Sequence, residues 1–334
     1  MMYLHPFHQT DLSSNSFLVT GGAGFIGSHI VEYLLKYRAG KVRVLDNFST
    51  GSWDNISAFS NDPRFELMEG DIRNYHTCRQ AMEGIDYVSH QAALGSVPRS
   101  VQDPITTNEV NISGFLNILT AAKETGVRRM VYAASSSAYG DHIQLPKVEE
   151  ITGRLLSPYA VTKYVNELYA NVFSGIYNFH TIGLRYFNVF GPRQNVKGPY
   201  AAVIPLFIEA ALKNQSPVIY GDGETSRDFT FVENAVQANI KALMVDDLKQ
   251  HEVLNVASGQ RTTLNSLWEK ISSMAGVHIK PIYAEERKGD VKHSLAEVSK
   301  AEKLLNYMPV VLVAEGLRIS LEWYRHATHA TVNS

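Results

Sequence analysis

The sequence predicts an α/β fold, a doubly wound and mostly parallel sheet with helices on both faces, to which a smaller α/β domain is attached toward the C-terminus. Three observations lead there. Short apolar runs alternate with helical-period segments through the first half of the chain, and at least six such runs are present. A glycine-rich turn follows the first run directly and opens a helix. The length, 334 residues, exceeds one typical domain but fits a body of two unequal parts.

The first strand is read at Phe17–Thr20. The helix after the glycine turn carries a buried stripe of Ile26, Ile30, Val31, Leu34 and Leu35 and is expected to end at Gly40. Val42–Asp46, Phe65–Glu69 and Tyr87–His90 are the next three strands, with helices in the connections between them. Asp103-Pro104 pairs an N-cap with proline at the first helical position, so a long helix is expected from there to Gly126. Arg129–Ala134 is the fifth strand, Ser157-Pro158 starts another helix by the same device, and Thr181–Arg185 is the sixth strand. Beyond Asn188, prolines 192, 199, 205 and 217 and glycines 221 and 223 mark a loop-rich region. The division that follows is residues 1–188 plus about 229–258 for the sheet domain, and about 189–228 plus 259–334 for the second domain.

Hydrophobic residues make up 45% and charged residues 19% of the chain, the balance of an ordinary globular protein. The formal net charge is −2 with both signs interspersed, which offers no field for nucleic acid or an anionic membrane. A lone cysteine, Cys78, has no partner within the chain and no second thiol for a metal site, which points to a reducing cytoplasm. No run of about 18 apolar residues occurs. The opening MMYLHPFHQTDLSSNS has neither lysine nor arginine and is read as a loosely held arm rather than a secretory signal. The close pairs His5/His8 and His326/His329 lie in polar terminal segments and are read as solvated, with no metal site expected.

The turn itself, GGAGFIG, places Gly21, Gly24 and Gly27 at three-residue intervals, followed by Phe25 and Ile26 in the helix start. This is the Rossmann-type arrangement: glycines let a pyrophosphate approach the backbone, and the helix N-terminus offers unpaired N–H groups. Asp46 closes the second strand 19 residues after Gly27, where a carboxylate binds ribose hydroxyls and repels the extra phosphate of NADP. NAD is therefore expected, with Asn47, Ser49 and Gly51 beside the ribose. Asp71 with Ile72, and Gln91, Ala92 and Ala93, occupy carboxyl ends of strands where such sheets bind ligands; Asp71 serves equally well as a helix cap.

Tyr159 and Lys163, in YAVTK, lie four residues apart on one helix face. A buried ammonium near a phenol favours the phenolate, so the tyrosine is expected to titrate below its usual value of about 10 and to act as a base. Upstream, Ser135, Ser136 and Ser137 leave the fifth strand at the same sheet edge, either capping a turn or donating to a sugar hydroxyl and a developing ketone.

The glycine turn, these serines, Tyr159 and Lys163 together resemble the extended short-chain dehydrogenases. More narrowly, QAALGSVPRS, YAASSSAYGD, LSPYAVTKYVNELYA, GLRYFNVFGPRQ, GDGETSRDF and RKGDVKHS are similar to bacterial UDP-N-acetylglucosamine 4-epimerases of surface-polysaccharide pathways, over roughly residues 17–325. The resemblance implies that Tyr159 takes the 4-hydroxyl proton, Lys163 holds the nicotinamide ribose, Ser135 supports the hydroxyl, and a UDP-sugar is the substrate. It implies that Phe187, Asn188 and Val189 line cofactor and sugar, that Ala202, Val203 and Tyr220 surround the uracil, and that Arg227, Arg287 and Asp290 hold diphosphate and ribose. Arginine suits that role through paired, charge-assisted bonds; a surface ion pair is the other reading of Arg287. Ser294 stands where relatives restricted to unacetylated sugars carry tyrosine, so the resemblance implies room for an N-acetyl group. Ser96, Arg99, Ser136, Asn188 and Gln194 are its implied polar neighbours, although Gln194 fits loop backbone as well.

Sugar-nucleotide dehydratases of the superfamily carry an Asp-Glu pair where this chain has Ser136 and Ser137, and the glutamate usual in the related decarboxylases is absent too. Non-catalytic relatives lose the tyrosine and lysine, which are present. A neutral UDP-N-acetylhexosamine and its uronic acid stay open as substrates. A homodimer through helices near 103–126 and 158–175 is the family expectation.

Overall fold

The computed structural model describes residues 2–196, 201–286 and 292–332. Seven strands make the central sheet: β1 Ser16–Thr20, β2 Lys41–Asp46, β3 Phe65–Glu69, β4 Tyr87–His90, β5 Arg129–Ser135, β6 Thr181–Tyr186, and an edge strand Glu252–Val256. Every pairing is parallel. The spatial order is Glu252–Val256, β6, β5, β4, β1, β2, β3, so the direction of travel reverses between β1 and β4. That switch point leaves a crevice at the carboxyl ends of the strands.

Side chains alternate across the sheet as a period of two requires. Phe17 and Val19 of β1 enter one apolar cluster, with Ile30, Val31 and Leu34 of helix α1 (Phe25–Lys36). Leu18 enters the opposite cluster, with Phe115, Ile118 and Leu119. The helix expected between Asp103 and Gly126 forms, but in three pieces that follow α2 (Tyr75–Ala81) and α3 (Val97–Gln102): α4 Pro104–Asn108, a π-helical turn Glu109–Ser113, and α5 Gly114–Glu124. Asp103 caps α4 through Thr106 N–H, and Ser157 caps α6 (Pro158–Tyr177) through Ala160 N–H.

Beyond the sixth strand lie α7 (Val203–Leu212), α8 (Val232–Met244), α9 (Leu264–Ala275), α10 (Ser299–Leu305) and α11 (Val313–Val332). Phe190, Ile204, Phe207, Leu267, Trp268 and Leu317 pack into a third apolar cluster.

The structure corrects several expectations. α1 ends at Lys36 with Tyr37 as its C-cap rather than at Gly40, since the left-handed Arg38 turns the chain early. The β2–β3 connection holds only 3-10 turns, Trp53–Asn55 and Ser57–Phe59; Ile56 is the one fully buried apolar side chain there, too little for a packed helix. The N-terminal segment is not a loose arm: Tyr3 and Leu12 are fully buried, and His8 bonds the Tyr33 hydroxyl instead of standing in solvent. His326 is exposed, but on α11 rather than in a tail.

Candidate active site

The crevice at the switch point is a cleft of about 860 Å³. Its floor is the glycine turn. Gly21 sits at φ +67°, and a Cβ there would lie 2.7 Å from Ala92 N, so two strand ends meet in backbone contact. Gly24 heads α1 without any side-chain cap, which leaves the first-turn amides beside Phe25 and Ile26 to an incoming anion. Asp46 closes the turn: its carboxylate accepts from Ala23 N–H (2.9 Å) and Phe48 N–H (2.8 Å). Asn47 N–H adds a third bond, while burial pushes the carboxyl above its usual range.

Thr20 accepts from Ala92 N–H at 3.3 Å, and its hydroxyl also hydrogen-bonds His90 Nδ1, 2.7 Å away. Burial holds that imidazole neutral, its pKa lowered to about 3. The Gln91 side chain turns inward, donating to Ser89 and Asn239 and accepting from the Tyr186 hydroxyl.

The opposite wall carries the reactive groups. Ser135 Oγ accepts from both Ser137 N–H (3.1 Å) and Ser137 Oγ (2.8 Å), which leaves its own proton to donate to the Tyr159 phenol. Ser137 thus orients Ser135. Lys163 is buried, donates to the Ala133 carbonyl at 2.8 Å, and has its pKa lowered to about 8 by desolvation. Tyr159 departs from expectation: burial raises its pKa, and the Ser135 hydrogen bond is the opposing influence. Two contacts set this helix in place. Tyr159 N–H donates to Ser100 Oγ on α3, and Glu167 makes a bidentate pair with buried Arg185 at 2.8 and 2.9 Å.

The cleft is lined by Gly21, Gly24, Phe25, Ile26, Gly27, Asp46, Asn47, Ser49, Asp71 and Ile72, and by Gln91, Ala92, Ala93, Ser96, Arg99, Ser135, Ser136, Tyr159, Lys163, Asn188, Val189, Gln194 and Ala202. Asp71 is not a helix cap; Asn74 caps α2, and Asp71 binds Arg73 and Asn47. Gly51 packs under Ala23 instead of lining the cleft, and Phe187 is buried in a small core with Tyr139 and Ala257. Val203 and Tyr220 also lie outside the lining. Arg227 turns to the carbonyls of Ser226 and Lys292, both at 3.1 Å. Ser294 stands behind the wall, accepting from Asp228 N–H at 3.3 Å and from Asn188 Nδ2 at 3.5 Å. Arg287 and Asp290 lie outside the described residues.

Two residues not anticipated hold the walls. Asn111, inside the π-helical turn, exchanges hydrogen bonds with both backbone groups of Leu94 and donates to Thr162 Oγ1, tying the β4 loop to the helix of Tyr159. Asp228 is fully buried and accepts from Ser258 N–H and Oγ, Gly259 N–H and Ala296 N–H. Both were visible as polar residues at positions where the apolar pattern calls for a hydrophobe.

Comparison with known proteins agrees with this geometry. The NAD dependent epimerase/dehydratase family matches residues 17–257. A putative UDP-glucose 4-epimerase of Methanocaldococcus jannaschii is 37% identical over 92% of this chain and 98% of its own. Among solved structures, a UDP-N-acetylglucosamine 4-epimerase from Methanobrevibacter ruminantium M1, in complex with UDP-N-acetylmuramic acid, is 40% identical with a TM-score of 0.89, covering 94% of this chain and 99% of that one. A UDP-glucuronic acid 4-epimerase from Bacillus cereus, in complex with UDP-glucuronic acid and NAD, is 29% identical with a TM-score of 0.87 over 93% of this chain and 99% of that one.

Proposed function

The chain belongs to the NAD-dependent epimerase/dehydratase family, and from that premise we propose that it interconverts UDP-N-acetylglucosamine and UDP-N-acetylgalactosamine by inverting carbon 4. The residues present fit NAD. The uncapped start of α1 would hold the pyrophosphate, Asp46 the adenosine ribose, and Lys163 the nicotinamide ribose. Bound NAD supplies a reversible acceptor for the hydrogen and electron pair of carbon 4. Tyr159 takes the 4-hydroxyl proton, and Ser135 donates to the same oxygen as it becomes a ketone. Lys163 is the cation the chain places under this pair. After the 4-keto sugar turns over, the hydrogen and its electron pair return on the opposite face and Tyr159 gives the proton back, so nothing is consumed.

The observation that carries this reading is the serine cluster. Ser137 spends both its donors on Ser135, and among the described residues Ser135 and Ser136 are what this turn contributes to the cleft lining, so the turn offers no carboxyl group to expel water from carbon 5 or 6. For the sugar, Ser294 supports Asn188 from behind, and Ser96, Arg99, Ser136 and Gln194 line the part of the cleft where this reading puts the acetamido group.

The division into a sheet domain and a substrate domain at about residues 188, 229 and 258 is part of this proposal. So is a homodimer: Ile105 of α4 and Val161, Leu168, Val172 and Ile176 of α6 are exposed apolar side chains on the two helices expected at its interface. No helix among the described residues is long and apolar enough to cross a membrane; a cytoplasmic place in polysaccharide synthesis is the setting proposed.

The test is to incubate the protein, without added NAD, with UDP-N-acetylglucosamine and follow the sugar proton resonances. UDP-N-acetylgalactosamine should appear. Conversion of the corresponding uronic acid alone, or none of either with NAD confirmed in the protein, overturns the substrate or the catalytic reading respectively.

A further inference from the structure

The residues before the family match do something the epimerase reading does not require. Tyr3 is fully buried, and its N–H donates to Glu233 on α8 at 2.8 Å. Its hydroxyl meets His29 Nδ1 at 2.9 Å, while Nε2 of the same ring meets the Pro192 carbonyl at 3.0 Å. A carbonyl only accepts, so Nε2 carries the hydrogen and Nδ1 receives the Tyr3 proton. Burial keeps this ring neutral, with its pKa lowered to about 3, so the tautomer persists across the working pH range.

The carbonyl so held belongs to the segment that carries Gln194. Arg193, at φ +65°, pairs with Glu32 at 2.6 Å and reaches Ser28 at 3.4 Å, both on α1. Gln194 donates its amide to the Val189 carbonyl at 3.1 Å, and its own carbonyl accepts from the Tyr324 hydroxyl. Its Oε1 is buried beside the cleft with no partner among the described residues, an acceptor that a small shift of the side chain would offer to a substrate N–H.

We propose that the N-terminal arm is a positioning element of the sugar pocket: Tyr3, acting through His29, holds the Pro192 carbonyl and thereby sets Gln194 against the acetamido group, a role that rests on the hexosamine reading above. The rest of the arm serves to keep Tyr3 there. Phe7 stacks on Tyr33 with ring centroids 5.1 Å apart, Phe7 N–H and His8 both bond the Tyr33 hydroxyl, and Tyr37 donates to the Tyr3 carbonyl at 2.8 Å.

Tyr3→Phe in the full chain removes the donated proton and keeps the ring. Amide hydrogen exchange across residues 191–195, measured without substrate, should rise about fivefold, and KM for UDP-N-acetylglucosamine should rise by about the same factor with kcat and NAD content unchanged. Tyr33→Phe, which removes the hydroxyl that anchors Phe7 and His8, should move both readouts in the same direction by a smaller factor. A lower melting temperature in Tyr3→Phe with unaltered exchange at 191–195 overturns the proposal and leaves Tyr3 a purely structural residue. Altered exchange in a protein that does not turn over the hexosamine keeps the link from Tyr3 to Gln194 and overturns the substrate reading instead.

Discussion

Replacing Lys163 by methionine should make the nucleotide-free protein more stable while destroying its activity. The ammonium is 4% exposed, and burial lowers its pKa from 10.5 to about 8. That drop corresponds to about 3 kcal/mol spent at neutral pH on keeping the charge inside. Methionine fills the same channel without charge but strands the Ala133 carbonyl, which now accepts from Nζ at 2.8 Å. A lost hydrogen bond there costs about 1 kcal/mol, so the net gain is about 2 kcal/mol. With an unfolding entropy of about 2 cal/mol/K per residue, a chain of this length should melt about 3 °C higher.

The pH dependence separates this cause from better packing. The folded-state pKa lies below the unfolded one, so between about pH 8 and 10.5 the unfolded chain binds a proton that the folded chain has released. Wild-type stability therefore climbs relative to the variant as pH rises through that window: the variant's advantage is complete below pH 8, and above 10.5 the lost hydrogen bond leaves the variant about 1 kcal/mol the less stable. Urea unfolding of both proteins at pH 7 and pH 10 measures it directly. An advantage that is absent at pH 7, or equal at the two pH values, refutes the claim that Lys163 is held charged at a cost.

Tyr159→Phe should lower kcat by at least about a hundredfold while NAD remains bound, since the phenol takes the proton and the glycine turn and Asp46 face the nucleotide; nucleotide content and turnover are read on the same sample, and retained activity would contradict the role of the phenol. Asp228→Asn places an NH₂ group against the Gly259 and Ala296 N–H donors, so a loss of about 3 kcal/mol of stability is expected, with KM for the UDP-sugar rising more than kcat falls because the carboxylate holds Ala296, two residues from Ser294; a variant with wild-type melting and KM would remove Asp228 from that role.

Legibility followed local periodicity. β1 to β6 and the starts of α4 and α6 were readable because an apolar run closed by glycine, or a serine or aspartate before proline, has a physical meaning within a few residues. α3 was missed although Ser96 caps it and Pro98 sits in its first turn, since six residues with a single buried side chain, Ser100, leave no apolar stripe to read. The N-terminal arm was misread for a related reason. Its polar composition describes what each residue prefers alone, whereas Tyr3, Phe7 and His8 are held by groups on α1 and α8 that lie 25 to 230 positions away.

The same distinction explains why the cleft-lining residues were read better than the residues that hold them. A residue that meets a ligand sits at a strand end or glycine turn, and such places are marked in sequence by a change of pattern. A residue that holds a wall in place sits on an otherwise apolar face, as Asn111 does four positions before the buried Phe115, and its partner is a loop far along the chain. Each such residue satisfies several donors or acceptors at once: Asn111 three, Asp228 four, and His29 one on either ring nitrogen. A buried polar group costs free energy unless its partners are all in place, so its presence on an apolar stripe is itself evidence of a fixed loop opposite. By that argument a polar residue interrupting a buried helical stripe marks where a backbone segment must be held, and in this chain two of those segments, Leu94–Gly95 and Pro192–Gln194, border the proposed sugar pocket.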